Sequence, residues 1–227
     1  MNPKKANLLV FASGESDPEK GGSGFLKLVE ASRDGILEAE IVAVVSNHEY
    51  GGVRTKADKN NIRFIHMPAP YRAEDYQRIF QETGAEYAAL SGWIKLVRGL
   101  PPEKTFNIHP GDLPRFGGHN MWGHRVHEAV EQALKRGEIT ASAVCMHFVI
   151  EPKSKEDYDK GPVFFRKPVP LLAGDDSETI AKKVNKVEHQ WQALITNLVV
   201  TGQINWDGVN LESLVVPPDY AHLALTE

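Results

Sequence analysis

The chain has 227 residues, 41% of them hydrophobic and 25% charged, with a formal net charge of -4. That composition belongs to a folded protein with a sizeable core and excludes disordered and fibrous classes, and without a basic excess there is no electrostatic footprint for a nucleic-acid partner. One cysteine, Cys145, rules out a disulfide framework or a multi-cysteine metal site within the chain.

The N-terminal stretch is too short and too polar for a secretory signal, and no run of 18 apolar residues occurs, so a cytoplasmic protein without a membrane partner is expected. The first predicted strand, ANLLVFAS (6–13), runs into a long loop carrying Gly14, Gly21, Gly22, Ser23 and Gly24 ahead of an apparent helix. A glycine-rich turn entering a helix offers backbone N–H groups to a phosphate. This one matches neither the dinucleotide fingerprint nor the P-loop, whose lysine directly follows its last glycine. Glu15, Asp17 and Glu19 make its first half acidic, so an anion would meet the Gly21–Gly24 half; a plain surface turn is the alternative.

Further strands are predicted at 39–47, 62–69, 87–93, 105–110 and 141–150, with helical stretches between them. Their hydrophobicity is continuous rather than alternating, which implies strands covered on both faces. The fold class is therefore α/β, a mostly parallel central sheet with helices on both faces, in one domain. In GHRVHEAVEQALKRG, Val126, Ala129, Val130, Ala133 and Leu134 form one helical stripe that stops at Gly137. A longer stripe, Ile180, Val184, Val187, Trp191, Leu194 and Leu198, follows a cap region at GDDSETI and ends at Gly202. From Trp206 the tail reads as an irregular wrap with a short hairpin.

In NIHPGDLPRFGGHN (107–120), Asn107 and His109 alternate with Ile108, so an extended backbone sends both polar side chains to one face. Pro110 ends the strand at the carboxyl edge of the sheet, where open α/β folds bind ligands. An amide and an imidazole together suit a developing oxyanion; turn hydrogen bonds are the other reading. Asp159 lies in an Asp-Lys-Gly-Pro turn, where it is either a solvated turn residue or a carboxylate aimed at the same edge. Beside His109 it would favour the imidazolium and accept a proton from a nucleophile. His147 is a core or a site histidine, Cys145 a core thiol. His119, His124 and His127 lack a completing Asp, Cys or Glu for a metal, which leaves His124 and His127 on a solvated helix flank.

Taken together, FNIHPGDLPRFGG and DYDKGPVFF resemble the Asn-x-His-Pro-x-x-Leu-Pro-x-x-x-Gly motif and the Asp-x-Gly-Pro loop of the folate-dependent formyltransferase family. The resemblance extends through NLLVFASG, IVAVVSN, LSGWIKLV, CMHFVI, PVPLLAGD, KVEHQW and VPPDYA, and favours the branch that formylates glycinamide ribonucleotide in purine biosynthesis. It implies a Rossmann-like single domain over 1–227, with a nucleotide and phosphate half (1–100), a catalytic and folate half (101–205) and a tail (206–227). Asn107, His109 and Asp159 would be catalytic, with Asp159 keeping His109 charged. Gly22, Ser23, Gly24, Gly92 and Glu188 would bind the acceptor, and Ile94, Lys95, Leu96, Val97, His147 and Tyr158 the folate. The co-substrate would be 10-formyltetrahydrofolate, with no metal, in a monomer or homodimer whose partners are small molecules. The chain departs from the family in its longer first loop, in Gly111 and Asp112, in the longer GGHNMWGH stretch and in Lys160. These departures keep open another acceptor, such as an amino sugar nucleotide, or a folate- or nucleotide-binding protein without turnover. Relatives acting on amino sugars or tRNA carry added modules, and here only a short tail follows Trp206.

Overall fold

The computed structural model describes residues 5–220. Seven strands and five α-helices follow one another along it: β1 (Ala6–Phe11), α1 (Ser23–Arg33), β2 (Ala39–Ser46), α2 (Gly52–Lys59), β3 (Phe64–His66), α3 (Ala73–Glu82), β4 (Tyr87–Ser91), β5 (Thr105–His109), α4 (His124–Lys135), β6 (Ala141–Phe148), β7 (Val163–Pro170) and α5 (Ser177–Val200). The strands form one sheet in the order β3-β2-β1-β4-β5-β6-β7. Pairing is parallel from β3 through β5, and β6 runs antiparallel to both its neighbours.

The continuous apolar strands are buried on both faces because successive side chains point to opposite sides. Leu8 and Val10 join α1, α4 and α5 through Phe25, Leu28, Val126, Val130, Ile180 and Val184. Leu9 and Phe11 join α3 and the β4 loop through Tyr76, Ile79 and Trp93. Chain direction across the sheet reverses between β1 and β4, and such a switch point opens a crevice at the carboxyl ends of the strands.

The predicted stripe of α4 is in place, with Val126, Val130 and Ala133 buried and Gly137 in the left-handed region at φ 70 beyond its end. α5 buries Ile180, Val184 and Leu198, while Val187 and Trp191 pack at the edge of the core. Its first turn is capped by Asp176, whose carboxylate accepts from the Thr179 N–H at 2.8 Å. Asp176→Ala should cost about 1 kcal/mol in a urea unfolding experiment. The apolar run after Asp159 forms β7. In place of a hairpin, the tail has a single bridge, Asn205 to Val215, and a short 3-10 turn at Leu211–Ser213. It is held by Trp206, whose ring lies 5.7 Å from that of Phe148.

Candidate active site

β5 ends at the crevice with Asn107 half-buried and His109 buried. Antiparallel pairing sets His147 of β6 directly across from Asn107. Asp159 arrives from the loop between β6 and β7, with its own backbone in the left-handed region at φ 56. That approach depends on Gly161: a Cβ there would fall 1.7 Å from the Phe148 carbonyl oxygen. Gly161→Ala must push the loop away from β6, and we expect a loss of about 2 kcal/mol or more in thermal or urea unfolding.

The four side chains form one buried cluster. Asp159 Oδ2 lies 3.6 Å from His109 Nδ1, and Oδ1 lies 3.4 Å from His147 Nε2 and 3.5 Å from Asn107 Nδ2. Among the described residues, its only contact of ordinary hydrogen-bond length is the Gly118 N–H, which donates to Oδ2 at 3.0 Å. The Asn107 amide donates to His147 Nε2 at 3.1 Å, because the His147 Nδ1–H is already given to the Phe148 carbonyl at 2.8 Å. His109 is fixed in the same way: the Phe116 carbonyl, 2.7 Å from Nε2, accepts only from an N–H. The neutral ring therefore carries its proton on Nε2 and turns the lone pair of Nδ1 toward Asp159.

Burial holds the His109 pKa below the ordinary histidine value, outweighing the upward pull of Asp159, which favours the charged ring as expected, and of the Phe116 carbonyl. For Asp159 burial is again the largest influence and acts upward, yet His147, His109 and the Gly118 N–H together bring it below the usual carboxylate range. Gaps of 3.4 and 3.6 Å separate the carboxylate from the His147 and His109 rings.

A cavity of about 790 Å³ opens in front of this cluster. Asn107, His109, Asp159 and Tyr158 form part of its wall, together with Gly92 and Ile94 after β4, Gly22, Ser23 and Gly24 at the start of α1, and Glu188 on α5. A smaller recess of about 40 Å³ shares Asn107, Tyr158 and Asp159 with it and is lined by Lys95, Leu96, Val97 and His147. The residues expected on two sides of a site are therefore brought together, the folate-side set around the small recess and the acceptor-side set around the large cavity, with Ile94 on the large side. The recess is tight because Tyr76 accepts from Trp93 Nε1 at 3.1 Å and donates to the Leu96 carbonyl at 3.2 Å, fixing the β4 loop.

The long first loop resolves into a detour. Gly14 and Gly21 meet back to back, at φ 62 and 79, so closely that a Cβ on Gly21 would fall 2.4 Å from Gly14 Cα. Residues 15–20 leave and return at that neck, and Gly22 leads directly into α1. Glu15 and Lys20 pack their carbonyl oxygens against Gly51 and Gly52.

Other placements differ from expectation or were not anticipated. His127 is not on a solvated flank: it is 8% exposed and lines the large cavity. Burial lowers its pKa to about 4, with His109 and His124 adding to the shift. His124 is exposed. Cys145 is buried against Leu113 and Ala143. Met121, Trp122, His189 and Gln192 also line the cavity. The Phe116 carbonyl and the Gly118 N–H, which orient His109 and Asp159, are backbone groups with no side-chain signature, although the paired glycines of FGG mark a tight turn. Among the described residues no group of three or more His, Cys, Asp or Glu side chains is arranged to hold a metal ion, and no helix is long and apolar enough to cross a membrane.

Residues 6–197 match the family model described as formyl transferase. The chain is 30% identical over 230 residues to the chloroplastic phosphoribosylglycinamide formyltransferase of Arabidopsis thaliana, covering 96% of this chain and 74% of that protein. It is 28% identical over 192 residues to phosphoribosylglycinamide formyltransferase of Bacillus subtilis, covering 80% and 88%. Among solved structures, glycinamide ribonucleotide transformylase 1 from Symbiobacterium toebii superposes with a TM-score of 0.75 at 24% identity, covering 91% of this chain and 93% of that one.

Proposed function

Because the chain belongs to the formyl transferase family, we propose that it transfers the formyl group of 10-formyltetrahydrofolate to the amine of glycinamide ribonucleotide. The observation that carries this reading is the convergence of Asp159 on His109 Nδ1 at 3.6 Å and on the Asn107 amide at 3.5 Å, where two recesses meet. The smaller recess is assigned to the pterin end of the donor and the larger cavity to the acceptor; at about 40 Å³ the smaller one must widen to admit a pterin.

In the reaction the acceptor amine attacks the formyl carbon, and negative charge grows on the formyl oxygen. Asn107 supplies an N–H to that oxygen, its second N–H staying with His147. The amine becomes acidic as it forms the new C–N bond. Its proton passes to the space between Asp159 Oδ2 and His109 Nδ1, now 3.6 Å apart, converting a carboxylate and a neutral ring into a hydrogen-bonded pair. The imidazolium so formed has both N–H groups engaged, one with Phe116 and one with Asp159, and places its charge near the oxyanion. Return of that proton to the folate nitrogen lets the C–N bond to the donor break, giving tetrahydrofolate and the formylated product.

Glu188 serves the acceptor, binding the ribose hydroxyls as a carboxylate. Burial raises its pKa to about 7, opposed only by Asn185, whose amide lies 3.5 Å away. A raised carboxyl pKa means that the charged form is lost as pH falls through about 7. The KM for the acceptor should therefore rise below that pH, while Glu188→Gln should have a KM about tenfold higher and flat across it. A wild-type KM that does not change with pH would remove Glu188 from this role.

The reading is tested by mixing the protein with 10-formyltetrahydrofolate and glycinamide ribonucleotide and following tetrahydrofolate release. Turnover dependent on both substrates is the expected result. Turnover with a different amine alone overturns the acceptor, and binding of both ligands without turnover overturns the enzyme.

A further inference from the structure

Three elements meet at one point in the wall of the large cavity. A Cβ added to Gly24, the second residue of α1, would fall 2.3 Å from Ser91 Oγ at the end of β4 and 2.8 Å from Gln192 Oε1 on α5. Alanine suits a helix better than glycine, yet here it would displace both polar groups, so the missing side chain is what lets them reach the start of α1. All three residues line the cavity. Gln192 is 2% exposed and Ser91 7%, and among the described residues neither side chain has a hydrogen-bond partner. Their polar atoms are not sealed off as His189 Nε2 on the same helix is, and the surface they keep faces the cavity. A buried amide and hydroxyl left unpaired at a cavity wall call for a ligand that pairs them. Beside them, the N–H groups of Ser23 and Gly24 precede the first intrahelical bond, which Leu26 donates to the Gly22 carbonyl. No side chain caps that turn and no acid stands in it.

We propose that Ser91 and Gln192 are specificity-determining residues of the acceptor site, uncharged donors that Gly24 admits to the phosphate-monoester end of the acceptor. The assignment rests on the transfer reading above, which puts the acceptor in this cavity. Phosphate oxygens only accept, and the wall meets them with donors: the Ser91 hydroxyl, the Gln192 amide and the free N–H groups at the start of α1. The Gln192 amide turns about its last bond to bring Nε2 forward in place of Oε1, since nothing else holds either end. Position along α5 agrees. Glu188 and Gln192 are four residues apart and both line the cavity, which sets them one helical turn, about 5.4 Å, apart on one face. That step matches the reach from ribose hydroxyls held at Glu188 to a 5′-phosphate held at Gln192. The pair adds donors without adding charge, so it selects by hydrogen-bond geometry and leaves the attraction for the anion to the helix dipole.

Calorimetric titration of the full chain with ribose 5-phosphate reads this subsite without turnover. The unsubstituted chain should bind it, and Gln192→Leu and Ser91→Ala should each weaken it about tenfold while the affinity for 10-formyltetrahydrofolate stays within twofold. Glycinamide riboside, which lacks the phosphate, should bind both variants as it binds the unsubstituted chain. Absence of binding to the unsubstituted chain, a loss below fivefold in either variant, or an equal loss for the riboside, which would mark a packing role, overturns the proposal. Should a variant not fold, the side-chain amide ¹⁵N shift of Gln192 in the unsubstituted protein decides: movement with ribose 5-phosphate and none with ribose supports the assignment, and any other outcome overturns it. Failure here is separable from failure of the transfer reading. Turnover of glycinamide ribonucleotide in a chain whose ribose 5-phosphate binding ignores both substitutions keeps the activity and removes the pair, whereas binding that depends on the pair without that turnover keeps the pair and removes the acceptor.

Discussion

Asp159→Asn should lower the single-turnover rate of formyl transfer by about a thousandfold or more while leaving ligand affinity within a fewfold. The substitution is nearly isosteric. The amide oxygen still accepts from the Gly118 N–H, now at 3.0 Å from Oδ2, so the loop keeps its anchor and Gly161 its tight path past Phe148. On the proposed mechanism, what disappears is the negative charge that draws the amine's proton onto His109 and then stabilises the imidazolium. Loss of that charge also removes an upward influence on the His109 pKa, so any residual activity should show an acid limb displaced to lower pH. A variant that folds, binds both ligands and retains more than a tenth of the wild-type rate would show that the proton leaves by another route.

His109→Gln should cost about a hundredfold to ten-thousandfold in kcat. Glutamine is chosen over alanine because the buried Phe116 carbonyl needs a donor, and leaving it without one costs about 1–3 kcal/mol of stability that would confuse the result. The pH profile supplies a signature specific to the ring. On the proposed mechanism, wild-type His109 accepts a proton only while neutral, so the rate should fall as pH drops through its pKa. Burial has lowered that pKa, which places the limb below the ordinary histidine value of about 6.5. Glutamine does not titrate, so the limb should vanish in the variant, while any limb set by the substrate amine remains at higher pH in both proteins. An unchanged acid limb in His109→Gln would reassign it to another group.

The architecture was legible wherever one strand or one helix suffices to state it. Leu8 to Phe11 are apolar without a break because both faces of β1 are covered, and the stripe from Ile180 to Leu198 records a helix lying on the sheet. Asn107 and His109 could be paired on one face from their spacing alone. The placement of His147 opposite Asn107 could not, since it depends on the antiparallel entry of β6 and the register between two distant strands. His127 misled for a related reason. It falls beside the apolar stripe of α4, and its burial at the wall of the large cavity depends on tertiary packing that the helix pattern does not record. The resting charge of His109 is a balance between desolvation and a carboxylate 3.6 Å away, and residue order carries no measure of either.

The neck formed by Gly14 and Gly21 separates two kinds of heredity in this chain. Whatever is added or deleted between those glycines is short-circuited before the main chain enters α1, so drift in loop size is not transmitted to the floor that meets a ligand. A sequence comparison that penalises residues 15–20 therefore weighs a detour that leaves the path from β1 into α1 unchanged.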